Sequence, residues 1–500
     1  MGVFARLILF IKGAFRRMIP YRSIESVEHI DSPISADMVN ALDDWQHLYT
    51  GKAPWIDGKT IKSLNLPALI CSEIARQILI EAKWNITGKK KGDDDEPESN
   101  PRAEYLKAEF EKLMRVLRQK LEQGCAAGGM VIKPYPKDGH IYFDFTLDWS
   151  LYPVSFTDDG NLSDVIFRNT FSEGDVTYTR LERHERIKDG GADGKEAQDA
   201  IRITQRAFKS TVKEAIGTEI PLTEVPQWAD LKPESIVKQT DGQMFGWYKV
   251  ASANAIDIDC PIGASVFSKA REQIKEADTQ YSRLLWEYEG SELAIDVDPT
   301  ALRPRKDGKG YESPKLNERL FRGVDMGTDD TYKIFSPTIR DVSLINGLNQ
   351  ILMRIEDLCG ISRGTISDVN TEARTATELK IVRQRTYATI HDNQTSLENC
   401  LRDVIRAMDK YATLYNLAPK GEYEVSFEWD DSVLTDMDQQ VQERLMLLNA
   451  GIIGKAEFRE WYFGETQTQA AARIEAITEE KTADVEALLP PTVPEPTNED

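Results

Sequence analysis

Gly360-Ile361-Ser362-Arg363-Gly364 satisfies G-x-S-x-G, the turn that presents the nucleophile of a serine hydrolase. Such a serine needs a strand before it, a helix directly after it, and an Asp or Glu and then a His later in the chain. Here an amphipathic helical pattern precedes the motif and bulky Arg363 flanks the serine. His391, the only later histidine, falls inside another helical pattern. The same residues suit a loop between helices better. Gly360 would stop the first helix and Gly364 adds backbone freedom. Ser362, Thr365, Ser367, Asn370 and Thr371 supply short polar groups, and Arg363 and Arg374 supply isolated cations. Single arginines hold a phosphate weakly, because affinity accumulates with each phosphate neutralised.

Other chemistry is sparse. No G-x-x-x-x-G-K-[ST] occurs, so the chain is not itself a P-loop ATPase, and no H-E-x-x-H occurs. The five histidines (His29, His47, His140, His184, His391) are too dispersed for a zinc site. Glu428, Asp430 and Asp431 would be the carboxylates of a magnesium nuclease, but strand alternation sends Asp431 away from the other two. The expectation is therefore no catalytic residue, no metal and no cofactor. Five scattered cysteines (Cys71, Cys125, Cys260, Cys359, Cys400) without a C-x-x-C pair read as free, packed thiols of a reducing compartment.

Any loop at 360–375 is positioned by its flanking elements. Phe267, Ala270, Ile274, Ala277, Tyr281, Leu284 and Tyr288 recur at spacing 3-4-3-4-3-4, a narrow helix-packing seam. Ser291 to Phe335 breaks that period and offers two strands, SELAIDVDP and DTYKIFSP, around a turn-rich stretch. Ser336 and Pro337 read as an N-cap and first helical residue. Val342, Ile345, Leu348, Leu352, Ile355 and Leu358 then restart a helical stripe. A helix out, a β tip and a helix back make a strut, and its apolar seam points to a wall shared between subunits of a ring. From about Glu372 to Tyr415 one very long helix follows, with Leu397, Leu401, Val404, Met408, Tyr411 and Tyr415 on one stripe.

Upstream, ADMVNALDDWQHLY and LPALICSEIARQILIEAKW read as helices, the second ended by Gly88, and Arg102 to Leu121 as a third. Gly128 to Val250 is β-rich. It contains a hairpin turning on Lys-Asp-Gly and a strand pair, DVTYTRLERHERI with IRITQRAFK, joined by a glycine-rich loop. GEYEVSFEWDD alternates like a strand returning to that sheet, and short helices stopped by Gly451 and Gly464 follow. Near the N-terminus, Phe4, Leu7, Ile11, Phe15 and Met18 form a stripe that reads as an arm docking on a neighbouring subunit. An interfacial membrane helix is the alternative. No stretch is apolar enough for a membrane span, and no stable membrane association is expected. Net charge is −21, with 19 acids and 5 bases from Gly421 to Asp500. That balance argues against tight sequence-specific DNA binding, while an acidic lining would leave passing DNA mobile.

Six segments carry a family resemblance: CSEIARQILIEAKWNITG, PLTEVPQWADLKP, EADTQYSRLLWEYEGSELAIDVD, INGLNQILMRIEDLCGISRGTISD, TATELKIVRQRTYATI and YEVSFEWDDS, in this order. With them the chain resembles the portal proteins of tailed bacteriophages. The resemblance implies an elongated α+β subunit with an N-terminal arm (1–34), an α/β wing (35–262) and a first stem helix (263–289). A small α/β clip (290–335), a second stem helix (336–360) and a tunnel loop (361–375) follow. A long helix and a strand returning to the wing (376–433), a helical crown (434–482) and a disordered acidic tail (483–500) complete it.

The family further implies a homo-oligomeric ring, usually of twelve copies, at one capsid vertex of the virion, assembled in the host cytoplasm. Double-stranded DNA passes through it without sequence specificity. Its implied partners are the terminase large subunit, a head-tail adaptor, and the major capsid and scaffolding proteins. The resemblance makes Ser362, Arg363, Thr365, Ser367, Asn370 and Arg374 the DNA-facing loop and the 267–288 seam the stem packing surface. Arg303, Arg305, Lys306, Lys309, Lys315, Arg319 and Arg322 become the clip surface that meets motor and adaptor. Two other readings make distinct predictions. A hydrolase at Ser362 would react with an active-site serine probe, and a membrane scaffold would bind liposomes through the residues before Ile19.

Overall fold

Ser35 accepts a hydrogen bond from the Met38 amide and starts helix α1 (Ala36–Tyr49), and Pro67 opens α2 (Leu66–Leu79). Asn100 caps α3 (Pro101–Ala127), which ends at Gly128 in the left-handed region (φ 90°). This computed structural model describes residues 24–80, 82–89, 100–189, 198–212, 215–240, 242–297, 303–304, 311–312, 321–323, 332–368, 376–429, 437–467 and 469–477. The chain divides after Trp429 into two units. Helices and several small sheets are mixed throughout, an α+β arrangement.

In the first unit, strands β2 (Gly129–Lys137) and β3 (His140–Leu147) pair antiparallel through Asp138 and Gly139. Both turn residues have positive φ, as a two-residue primed turn requires. The larger sheet runs β4 (Leu151–Phe156), β5 (Leu162–Glu173), β6 (Val176–Asp189), β7 (Gln198–Ser210), β8 (Thr218–Ile220), with β9 (Glu234–Lys238) also pairing β7. β6 and β7 are the strand pair expected from the alternation, in register from Asp189–Gln198 to Thr177–Ser210. Strand β10 (Gly246–Lys249) joins β2. Helix α4 (Arg271–Gly290) leads into β11 (Ala294–Val297), which lies between β14 (Phe321–Gly323) and β15 (Tyr332–Phe335). The short pair β12 (Arg303–Pro304) and β13 (Tyr311–Glu312) stands apart from that sheet. Helix α5 (Asp341–Cys359) returns, and α6 (Ala376–Leu414) follows with 39 residues, roughly 58 Å at 1.5 Å per residue.

One core holds these helices together. It joins Trp45, Ile70, Ile74, Phe110 and Leu117 to Phe267, Ile274, Ile355, Leu397 and Leu401. All five cysteines are buried and unpaired. On β6 of the larger sheet, Arg180 and His184, together with Lys133 of β2, surround the buried carboxylate of Glu182. Burial alone would raise its pKa, but Lys133, His184 and Arg180 hold it well below the ordinary range. The second unit contains α7 (Met437–Asn449) and α8 (Lys455–Phe463), the latter ended by Gly464, with residues 469–477 also helical.

Three local expectations need correction. Helix α2 does not continue to Gly88; it ends at Leu79, and β1 (Ala82–Gly88) follows. β1 pairs antiparallel with β16 (Tyr423–Trp429), so the late strand forms a separate two-stranded ribbon and does not join the large sheet. Trp84 and Phe427, cross-strand partners, both meet the core ring of Phe110, a contact that outweighs local helix preference. Ser336 and Pro337 do not start the second strut helix; α5 begins at Asp341 with Arg340 at its N-cap. Residues 24–30 pack on this chain's own sheet. Ile24, Val27 and Ile30 join Tyr152, Ile166 and Phe208, and Glu28 pairs with Arg206. The stripe from Phe4 to Met18 and the tail 483–500 lie outside the described residues.

Asp148 sits on the turn between β3 and β4 with its carboxyl fully buried. Oδ1 accepts from Trp247 Nε1 at 3.2 Å, and Oδ2 has no partner. Burial pushes its pKa up from 3.8 to about 7, against the opposing pull of Trp247 and Lys249. The folded protein thus binds this proton more tightly than the unfolded chain, and stability falls as pH rises between those two values. Asp148→Asn is expected to raise the melting temperature at pH 8 by on the order of a few degrees and to change it little below about pH 4. Circular-dichroism melts check this, and equal shifts at both pH values would exclude charge burial as the cause.

Candidate functional site: the loop between α5 and α6

Helix α5 stops where Gly360 adopts φ 72°. A Cβ there would also lie 2.5 Å from Thr389 Oγ1, which donates to the Gly360 carbonyl at 2.9 Å. Only glycine lets α6 pass this close to the end of α5. Behind the turn, Glu356 is fully buried. Its Oε1 accepts from the amides of Ile366 (2.6 Å) and Ser367 (3.0 Å), and its Oε2 from Ser367 Oγ (2.6 Å) and the Gly364 amide (3.3 Å). Amides converging on an anion form a nest, and here the anion belongs to the chain itself. Asn349 secures the far end by donating to the Asp368 carbonyl and accepting from its amide. Residues 360–368 are thereby folded onto α5.

The neighbouring acid, Asp357, takes two arginines. Arg363 donates through Nε (3.2 Å) and Nη2 (2.7 Å), and Arg385 of α6 through Nη1 (2.9 Å). Arg363, with Arg385 and Arg354 adding to it, holds the Asp357 carboxyl below the usual range. Arg363 therefore enters the loop already paired, although its side chain is half exposed. Ser362 Oγ lies 2.6 Å from Thr386 Oγ1, and Thr365 Oγ1 donates to the Ser362 carbonyl. A helix precedes Ser362 and bends follow it, the reverse of a strand–turn–helix nucleophile elbow. His391 is exposed and stacks on Tyr387.

The structure thus brings Ser362, Arg363, Thr365 and Ser367 together at the foot of the loop, while Asn370 and Arg374 lie outside the described residues. Glu356, Asp357 and Asn349 were not anticipated. One signal was present: two acids in the last turn of a helix oppose its dipole, so their position needs another reason.

The strut that carries this loop changes character along its length. At its base Phe267, Ala270, Ile274, Ala277 and Leu284 are buried within the chain, so most of the expected seam is covered internally. Asp278 accepts from Trp55 Nε1 and the Leu64 amide, and Ser282 from the Lys62 amide, clamping α4 to the loop before α2. Arg340 forks onto buried Glu287 and ties the start of α5 to the end of α4. Toward the tip, on both sides of that tie, the apolar pattern continues uncovered. Trp286 (67%), Val342 (67%), Ile334 (60%) and Ile345 (45%) are exposed, as are Tyr288 and Tyr332. Tyr281 is half-buried. Of the basic residues in the insert, Arg303 lies in β12 and Arg322 in β14. Arg305, Lys306, Lys309, Lys315 and Arg319 lie outside the described residues, as do Asp430 and Asp431.

Among the described residues no cluster of His, Cys, Asp and Glu could hold a metal ion, and no helix is long and apolar enough to cross a membrane. A family model described as phage portal protein, SPP1 Gp6-like, matches residues 63–486. No curated protein matches the chain.

Removing the buried anion should release the foot of the loop. Glu356→Ala leaves the Ile366 and Ser367 amides without their acceptor, a local loss of about 2–3 kcal/mol. Hydrogen exchange at those amides is expected to speed up roughly thirtyfold or more while exchange in α6 beyond Leu397 stays unchanged. Unaltered loop exchange would show that other contacts hold these residues.

Proposed function

The chain belongs to the phage portal protein family, and from that membership we propose that it is the non-enzymatic subunit of a ring at one capsid vertex of a virion, a channel for double-stranded DNA during packaging and ejection. The observation that carries the ring is the uncovered apolar tip of the strut. Tyr288, Val342 and Ile345 continue the same helical stripes that are buried at the base, with Trp286 exposed on the same strut, and a surface of this kind needs a cover. Neighbouring copies packed side by side about an axis would supply it, with family precedent for twelve.

In this reading the foot of the α5–α6 loop is a fixed mount, and Asn370 and Arg374 are the groups offered to passing DNA. Arg363 would reach a phosphate only in competition with Asp357. The chain's net charge of −21 suits a conduit that does not grip its cargo. With no P-loop in the sequence, the force is assigned to a separate ATPase, the terminase large subunit, docked on the basic insert 303–322, where a head-tail adaptor binds later. Capsid and scaffolding proteins would contact the outer surface.

Electron micrographs of the purified protein should show annular particles with a central hole. Val342→Asp combined with Ile345→Asp is expected to leave the base of the fold intact and to shift most of the protein to monomers in analytical ultracentrifugation. Rings of undiminished yield would remove this surface from the interface. Arg363→Ala with Arg374→Ala should lower DNA retention in filled heads without changing ring yield, and unaltered packaging and retention would exclude both arginines.

A further inference from the structure

A cleft of about 540 Å³ lies where the start of α3, the end of α6 and the loop after β9 meet, away from the α5–α6 loop. Its lining includes Arg102, Thr240, Arg406, Lys410 and Lys420, with Asp409 and Glu422 as its acids. Those acids are already engaged. Asp409 pairs with Arg102 at 3.5 Å, and Glu422 with Lys89 at 3.2 Å. Arg102, almost fully buried, also donates to the Pro419 carbonyl and is structural.

The other cations have weaker commitments. Lys410 donates to the Gln239 carbonyl at 2.8 Å, and Arg406 reaches Asp403 one turn back at 3.0 Å, both ends half exposed, a pairing of small value. Lys420 forms no direct ion pair among the described residues, though its charge acts on Asp409 from a distance. In so acidic a chain this is a positive island. Two further features point inward from the same loop. Thr240 is 7% exposed and its Oγ1 has no partner. A Cβ at Gly242 would lie 2.3 Å from Arg406 Nη2, so glycine lets the guanidinium rest against the loop backbone.

We infer that this cleft binds a phosphate-type oxyanion. The Arg406 fork and the Lys420 and Lys410 ammonium groups supply charge-assisted donors, and the Thr240 hydroxyl supplies a buried one. Gln243 Oε1, buried and unpartnered while its Nε2 donates to the Ser163 carbonyl, accepts from a protonated oxygen or a water beside the anion. The volume suits a phosphate with its attached group. The anion could come from DNA backbone or from a free phosphate.

Isothermal titration of inorganic phosphate into the full-length protein tests this, with Arg406→Gln, Lys420→Glu and Thr240→Val as variants. Lys420 is exposed, so its variant keeps the fold. Binding to the wild type is expected, weakened roughly tenfold or more by Arg406→Gln and by Lys420→Glu, the loss of one charge-assisted hydrogen bond each. Short duplex DNA that displaces phosphate would identify the backbone as the source, and failure to displace it would identify free phosphate. No binding of either ligand, or equal binding by wild type and both charge variants, would overturn the inference. The measurement needs no ring, so it fails or succeeds independently of the proposed channel.

Discussion

Phe267, Ile274, Ile355, Cys359 and Ile390 are buried in a single cluster, and there the two strut helices and the long helix are joined to the rest of the first unit. Close packing at this junction sets where α5 ends and how near α6 passes. The Gly360 approach to Thr389 and the burial of Glu356 follow from that spacing. Interiors at this density do not deform continuously, so the loop mounted on the junction inherits its position. Farther out, where no other described residues cover them, the same stripes run into solvent. Sufficiency at the base and deficiency at the tip are one consequence of a strut that extends beyond its core.

Charge is handled by internal pairing. Glu356 is neutralised by amides and a hydroxyl, Asp357 by two arginines, Glu182 by Lys133, Arg180 and His184, and Glu287 by Arg340. Each anion is satisfied where it lies, as buried polar groups must be. The contrast with Arg406, whose ion pair with Asp403 is half exposed, and with Lys420, which forms no direct ion pair among the described residues, gives the cleft near Thr240 its distinct character.

Much of the secondary structure was legible because it is encoded locally. The Asp138-Gly139 turn, the β6–β7 alternation and the stop glycines Gly360, Gly451 and Gly464 need only their own neighbours along the chain. Strand β1 was missed because its partner, β16, lies more than three hundred residues away in sequence and the apolar run entering it continues the period of α2. The loop residues were legible as a loop, but not their engagement. Nothing in the spacing of Arg363 reveals that Asp357, one turn back across a glycine reversal, will already hold it.

The sequence by itself determined the order of elements, the absence of a P-loop and of a zinc-protease motif, the acidic balance and the family, since these depend on residue type and periodicity alone. Tertiary structure alone decided which part of the 267–288 seam is internal, that Glu356 is the anchor of the loop, and that four cations from distant segments border one cleft. Those outcomes depend on distances between residues far apart in the chain, which a one-dimensional pattern does not contain.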